Sequence, residues 1–398
     1  MLLIVGFLFG VLEFDIRVLD TAEWSNSSAS KSYMNTFLKI DSLDKALPKY
    51  RKDFSVLVER GPLVHANTDW GRELRNSFEY KAVDVRLGFK RTEPTLYNHL
   101  YRNPTFGVGF YSATFKSEFL GQPHALYAFV DIPFKKRYFN EQLSFSYFTS
   151  VGIGFNFRPF DEEENPLNQF IGSYENIYSH FGFTSSYRIN AGLFLDASIG
   201  LKHFSNGSLR KPNTGLNFIP FTIGLRSVLN ERYHIATYKK PIPIFEDVPQ
   251  WNFLVSAGGK NYTTGEGQYP KLAVGIQRVW QRDYKFRFGV GADMFYSGAA
   301  ASRLNRSPVS FSDRASVGVI GIWEWVLTPQ LYVPIGIGAY LHRNTHNEEV
   351  TWYYSRVGIR YRLTNGISAG LSIKAHALKA DFFEWTVAYS IFNDRNRY

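Results

Sequence analysis

Beyond residue 50 most of the chain alternates bulky apolar residues with small or polar ones at a period of two. Over 143–157, Leu143, Phe145, Tyr147, Val151, Ile153, Phe155 and Phe157 share one face, and Ser144, Ser146, Ser150, Gly152, Gly154 and Asn156 the other. Leu331, Val333, Ile335, Ile337 and Leu341 likewise oppose Tyr332, Pro334, Gly336, Gly338 and Tyr340. Val357, Ile359 and Tyr361 oppose Arg356, Arg360 and Arg362, and Phe383, Trp385, Val387, Tyr389 and Ile391 oppose Glu384, Thr386 and Ser390. Successive side chains of a strand point to opposite faces, so each segment predicts a strand with one apolar face. A soluble sandwich strand turns Lys, Glu and Thr to water. Here the second face is largely Gly, Ser, Arg and Tyr, and aromatics collect near the segment ends. Segments of about 10 residues with this pattern, separated by turns, suit a membrane-spanning β-barrel. Lipid tolerates no open sheet edge, so the sheet must close.

About sixteen such segments can be counted, an even number as bacterial barrels require. Some eight lie between Asp53 and Leu229 and some eight between Trp251 and Phe392. Residues 51–398 are therefore read as one antiparallel, all-β transmembrane barrel of about 14–16 strands, with two eight-stranded barrels as the alternative. Within it, 51–230 forms a first half, 251–398 a second, and 231–250, with Pro241, Pro243 and Pro249, a linker. Residues 1–50 read as a degenerate signal and a polar periplasmic lead-in. Leu2–Leu12 is apolar enough for a signal core, but no Lys or Arg precedes it, and Glu13 and Asp15 follow.

Composition narrows the function classes. The 398 residues are 44% hydrophobic, 17% aromatic and 20% charged, with 32 Gly and 3 Met, which favours strands over helices. Past the N-terminus no apolar run approaches the roughly 20 residues of a membrane helix. Without cysteine there is no disulfide framework, thiolate nucleophile or Cys-based metal site. The net charge of +10 is scattered and often at strand ends, which suits anionic lipid head groups rather than nucleic acid. The expected partners are therefore outer-membrane lipids, and no cofactor or metal is called for. Asp161–Glu164 reads as a solvated acidic loop. His342 and His346 near Glu348 and Glu349 lack a specific ligand spacing. Gly258-Gly259 is no phosphate cradle, since no helix follows.

One constellation points to chemistry. Leu193, Leu195, Ala197, Ile199 and Leu201 form an apolar stripe whose face continues into His203 and Ser205. On the next strand Ile219, Phe221, Ile223 and Leu225 lie on the lipid face, with Asn217 at the matching end. Folding the hairpin around residues 206–216 brings His203, Ser205 and Asn217 together on the outside of the barrel. Polar groups there are tolerated at the membrane border, where their cost falls to about 0–1 kcal/mol. They are also what a serine nucleophile needs: an adjacent base, and a third group to orient it.

The run His203-Phe204-Ser205-Asn206, followed by Pro212-Asn213-Thr214-Gly215-Leu216-Asn217, resembles the lipid A deacylase family of outer-membrane barrels (acyloxyacyl hydrolases, lipid A 3-O-deacylases). Those enzymes are eight-stranded and carry His-aromatic-Ser-Asn, then Pro-Asn-x-Gly, then an acidic residue two positions later. The resemblance implies Ser205 as nucleophile and His203 as base, with Asn206, Gly207 and Asn213 positioning the loop or forming the oxyanion hole. It also implies lipid A or lipopolysaccharide as substrate and the outer membrane of a Gram-negative bacterium as the location. This chain departs from the pattern at Asn217, and no acid occurs from Gly207 to Asn230. A neutral Asn can orient an imidazole but cannot stabilise imidazolium by charge. The competing expectation is a non-catalytic porin or structural barrel, with Arg356, Arg360 and Arg362 lining an anion-selective pore.

Overall fold

The computed structural model describes residues 49–64, 80–116, 118–230, 238–245, 247, 249–363, 366–377 and 379–392. The apolar segment Leu2–Leu12 and nearly all of the lead-in lie outside the described residues. The first half holds β1 (Tyr50–Arg60), β2 (Leu63–Val64), β3 (Tyr80–Arg91), β4 (Thr105–Phe115), β5 (Gly121–Tyr138), β6 (Leu143–Phe157), β7 (Asn176–Arg188), β8 (Leu193–Ser205), β9 (Leu216–Phe218) and β10 (Phe221–Val228). The second holds β11 (Gln250–Lys260), β12 (Tyr269–Gln281), β13 (Phe286–Ser297), β14 (Ala315–Val326), β15 (Leu331–His342), β16 (Tyr353–Arg362), β17 (Ile367–His376) and β18 (Lys379–Phe392).

Each half closes on itself. In the first, β10 pairs with β8 on one side and with β1 on the other. β9 and β10 are two parts of one strand interrupted at Ile219-Pro220, where proline has no N–H to give the ladder. In the second, β18 pairs with β11. The result is two eight-stranded antiparallel barrels. Of the two closures compatible with the alternation, the single barrel of 14–16 strands is therefore corrected to the tandem one. The physical reason is that each half satisfies its own end strands, so neither leaves an edge for the other.

The burial pattern follows the alternation. In β1 it runs exposed–buried from Lys52 to Arg60, with Val56 and Val58 outside and Ser55 and Glu59 inside. Apolar residues such as Ile223, Leu225, Val255 and Val387 cover the outer faces. Eight strands leave an interior just wide enough for side chains to fill, and both interiors are filled with paired charges. In the first barrel Lys202 Nζ lies 2.5 Å from Glu59, which also accepts from the Tyr80 hydroxyl, and Arg226 lies 2.7 Å from Asp196. In the second, Arg356 sits between Asp293 at 2.9 Å and Glu384 at 2.8 Å, and Arg287 pairs with Glu324 at 2.9 Å. Arg356 is thus held between two carboxylates and Arg360 is buried, instead of standing free in a lumen as the anion-pore expectation requires.

Chain direction gives the two barrels common ends. One end carries Tyr50, Val228, Gln250 and Phe392; its connections 139–142, 189–192, 282–285, 327–330 and 363–366 are short, while 92–104 is longer and holds Tyr97 and Tyr101. The other end carries Ser205, the longer connections 158–175, 206–215, 298–314 and 343–352, and the short ones 116–120 and 377–378. The barrels touch at both ends. At the first, the Tyr101 hydroxyl donates to Val326 O at 2.5 Å and the Tyr97 hydroxyl to Tyr284 O at 3.3 Å. The described part of the linker packs there too, with Pro243 O accepting from the Tyr284 hydroxyl.

Candidate active site

The β8–β9 pairing sets His203 directly opposite Asn217. Both are half-buried, on the same outward face as Leu195, Ile199 and Leu201. His203 Nδ1 lies 2.6 Å from Asn217 Oδ1, and His203 Nε2 lies 2.8 Å from Ser205 Oγ. Ser205, two residues along the strand, shares the face but keeps only 4% of its surface. An amide oxygen only accepts, so with Oδ1 against Nδ1 the imidazole proton sits on Nδ1. Nε2 then offers its lone pair to the Ser205 hydroxyl.

The loop that follows is built around Asn206. Its main-chain N–H donates to Asn213 Oδ1 at 3.1 Å, and its side-chain amide donates to Arg210 O and Ser173 Oγ, both at 2.9 Å. Those bonds use both Nδ2 protons, so Asn206 and Asn213 fasten the loop and have no donor of Asn206 left over. Gly207 at φ +61° and Ser208 at φ +68° are both left-handed, and Leu209 N–H closes the turn onto Asn206 O at 3.3 Å. Two central residues with positive φ make this a type I′-like turn. For Ser208, which carries a Cβ, that conformation costs about 1–3 kcal/mol unless its surroundings hold it. Among the described residues nothing accepts the Gly207 main-chain N–H. Lys211 is pushed below its usual ammonium range, chiefly by burial and then by Lys379 of the second barrel.

Further residues support the site without having been legible as candidates. Gly215 has φ +75°, and a Cβ there would fall 2.7 Å from His203 Cε1, so the imidazole packs against bare backbone. Gly215 N–H and Thr214 Oγ1 bond to Phe170 O and Gln169 O, which ties the loop to the 158–175 connection. In that connection Asp161 accepts from the N–H groups of Glu163 and Glu164, which hold its carboxyl below the usual range on the surface. His342 and His346 bond to the main-chain oxygens of Ser312 and Asp313, and no metal-binding group occurs among the described residues.

Residues 83–226 match the model of the family described as lipid A 3-O-deacylase (PagL), and residues 249–394 that described as acyloxyacyl hydrolase, C-terminal domain. Together the two matches span more than half of the chain, one on each barrel. The chain belongs to the lipid A deacylase family. The deacylase match takes in His203, Ser205, Asn217 and the whole intervening loop, and membership in the family makes the chain a hydrolase. No curated relative matches. Among solved structures it is similar to mutants of the Rhodopseudomonas blastica porin, one at 11% identity and TM-score 0.19 and another at 10% and 0.17. Each alignment covers 85% of this chain and 100% of the porin. It is also similar to the β domain of the Bordetella autotransporter Brka, at 9% identity and TM-score 0.23, covering 86% of this chain and 98% of that one.

Proposed function

We propose that the chain is an outer-membrane esterase that removes an ester-linked acyl chain from lipid A through Ser205 and His203. The observation that carries this reading is the continuous bond series Asn217–His203–Ser205 on the outward face of the first barrel. Ser205 Oγ attacks the ester carbonyl while His203 Nε2 takes its proton. The tetrahedral oxyanion is received by the Gly207 N–H. Collapse expels the sugar hydroxyl, protonated by His203, and leaves an acyl-Ser205 ester. A water molecule, deprotonated by His203, then releases the fatty acid and restores the serine. Asn217 orients the imidazole throughout but lends no charge to it.

The placement suits a membrane substrate. Both barrels carry apolar outer faces, and apart from the connection 92–104 the hairpin turns at the end holding the strand termini are short, which suits a periplasmic side. Ser205 then lies at the opposite, outer border, where lipid A reaches the outward face by lateral diffusion. Lys211, in the loop that follows Ser205 and near enough to Lys379 of the second barrel to be perturbed by it, supplies positive charge for the phosphates of lipid A. The ion pairs buried inside both barrels weigh against the porin reading.

Mass spectrometry of lipid A from cells with and without the protein tests this reading. The wild type is expected to shift lipid A by the mass of one acyl chain, and Ser205→Ala and His203→Asn to leave it intact. The same mass shift in cells carrying a folded Ser205→Ala protein would move the chemistry elsewhere.

A further inference from the structure

The second barrel carries no copy of the Ser–His pair. Its buried Lys374, paired across the sheet with Phe382, occupies the place that buried Lys202, paired with Phe218, holds in the first barrel. Counting on from those lysines, Ala375 and Ala377 stand where His203 and Ser205 stand. Yet this end of the second barrel reaches into the first barrel's site loop. Asn261 N–H donates to Ser208 O at 2.8 Å, and Ser208 Oγ donates to Ala380 O at 3.0 Å. Gln268 Nε2 donates to Leu209 O at 3.0 Å. Gly207 packs against the Phe383 ring, so close that an added Cβ would fall 2.0 Å from Phe383 Cε2.

We infer that the second barrel is a positioning element of the first barrel's active site, gripping Gly207–Leu209 so that the Gly207 N–H stays aimed at the oxyanion. This rests on the Ser205 reading above. Ser208 holds a left-handed conformation that its own side chain disfavours, and both its carbonyl and its hydroxyl are bonded to the second barrel. Among the described residues the other hydrogen bonds near the turn are made by Asn206 and Leu209 and not by Ser208, and the one from Leu209 to Asn206 is internal to the turn. A donor displaced by a fraction of an ångström loses most where charge develops, so the grip acts on the transition state more than on substrate binding.

The test is steady-state release of fatty acid from lipid A in mixed micelles, with the full chain. Phe383→Ala removes the surface under Gly207 and is expected to lower kcat about tenfold to a hundredfold, less than the roughly hundredfold to thousandfold for losing an oxyanion donor outright because the donor is displaced and not deleted, with KM nearly unchanged. Phe383→Leu, which refills the space, should recover most of kcat. The exposed Gln268→Ala serves as a second variant that cannot disturb either interior, with an expected fall of roughly twofold to threefold for one surface hydrogen bond. Heat-shifted migration on gels reports that the barrels remain closed. An unchanged kcat in folded Phe383→Ala, or a rise in KM alone, overturns the inference while leaving Ser205 in place. Undiminished activity in Ser205→Ala removes the site reading and this inference with it.

Discussion

Asn217→Asp is the substitution that weighs the one departure from the family's motif. It exchanges an amide oxygen for a carboxylate oxygen of the same reach, at a site where Oδ1 already lies 2.6 Å from His203 Nδ1. Proton transfer from Ser205 creates imidazolium, and a carboxylate at that distance attracts it with roughly 6 kcal/mol at an effective dielectric near 20. That is a ceiling. The amide already makes the hydrogen bond, and a half-buried carboxylate loses hydration. A neutral hydrogen bond contributes about 1 kcal/mol and a charge-assisted one about 1.5–3, so the net gain is about 1 kcal/mol, or about fivefold in kcat. Asn217→Ala leaves Nδ1–H without its acceptor at about 1–3 kcal/mol, and should lower kcat about tenfold. Asn217→Glu restores the family's residue type but adds a methylene to a gap already closed, so its gain should be smaller than that of Asp. The assay is fatty-acid release from lipid A in mixed micelles, with heat-shifted gel migration as the folding control. If folded Asn217→Asp falls to the level of Asn217→Ala, residue 217 does not orient His203 and the electrostatic argument is wrong.

Four further outcomes follow from the geometry. Gly215→Ala places a methyl group against the imidazole and should cut kcat at least tenfold without opening the barrel. Lys211 carries less charge as pH rises, and earlier than an unperturbed lysine because burial has lowered its range; KM for lipid A should therefore climb on the alkaline side, and Lys211→Arg should flatten that climb. Arg356→Ala leaves Asp293 and Glu384 buried without their cation and should destabilise the second barrel by about 3–5 kcal/mol, read as a lower temperature for its gel shift. In planar bilayers the purified protein should show no steady ion conductance, because salt-bridged side chains fill both interiors; stepwise channels would contradict the filled-lumen description.

Much of this was legible along the chain, and the limits have physical causes. β6 runs from Leu143 to Phe157 and alternates as the sequence marks as far as Phe155, since a strand between lipid and a packed interior has two unlike faces; at Asn156, whose φ is +66°, the alternation slips, so Asn156 is exposed and Phe157 turns into the core. The number of barrels was not legible in the same way. Alternation shows which face of a strand meets lipid, but not that β10 returns to β1 or β18 to β11; only the prolines of the linker hinted at a division. His203, Ser205 and Asn217 could be placed together because they share a hairpin with a set register. Ser173, Phe170 and the grip by Asn261, Ala380 and Phe383 come from segments up to some 175 residues away and carry no periodic mark. Gly215 stood in the motif, but its contact with the imidazole depends on a loop conformation that spacing does not reveal.

The central claim, that Ser205 is the nucleophile activated by His203, is tested most directly by covalent capture. The purified protein in mild detergent is treated with a long-chain alkyl phosphonate ester, which a serine esterase binds as a tetrahedral adduct, and the peptides are mapped by mass spectrometry. The probe's mass should appear on the peptide containing Ser205, and His203→Asn should slow its appearance at least a hundredfold. Labelling of another residue at the wild-type rate, or equal labelling of Ser205 in the His203→Asn protein, would contradict the account.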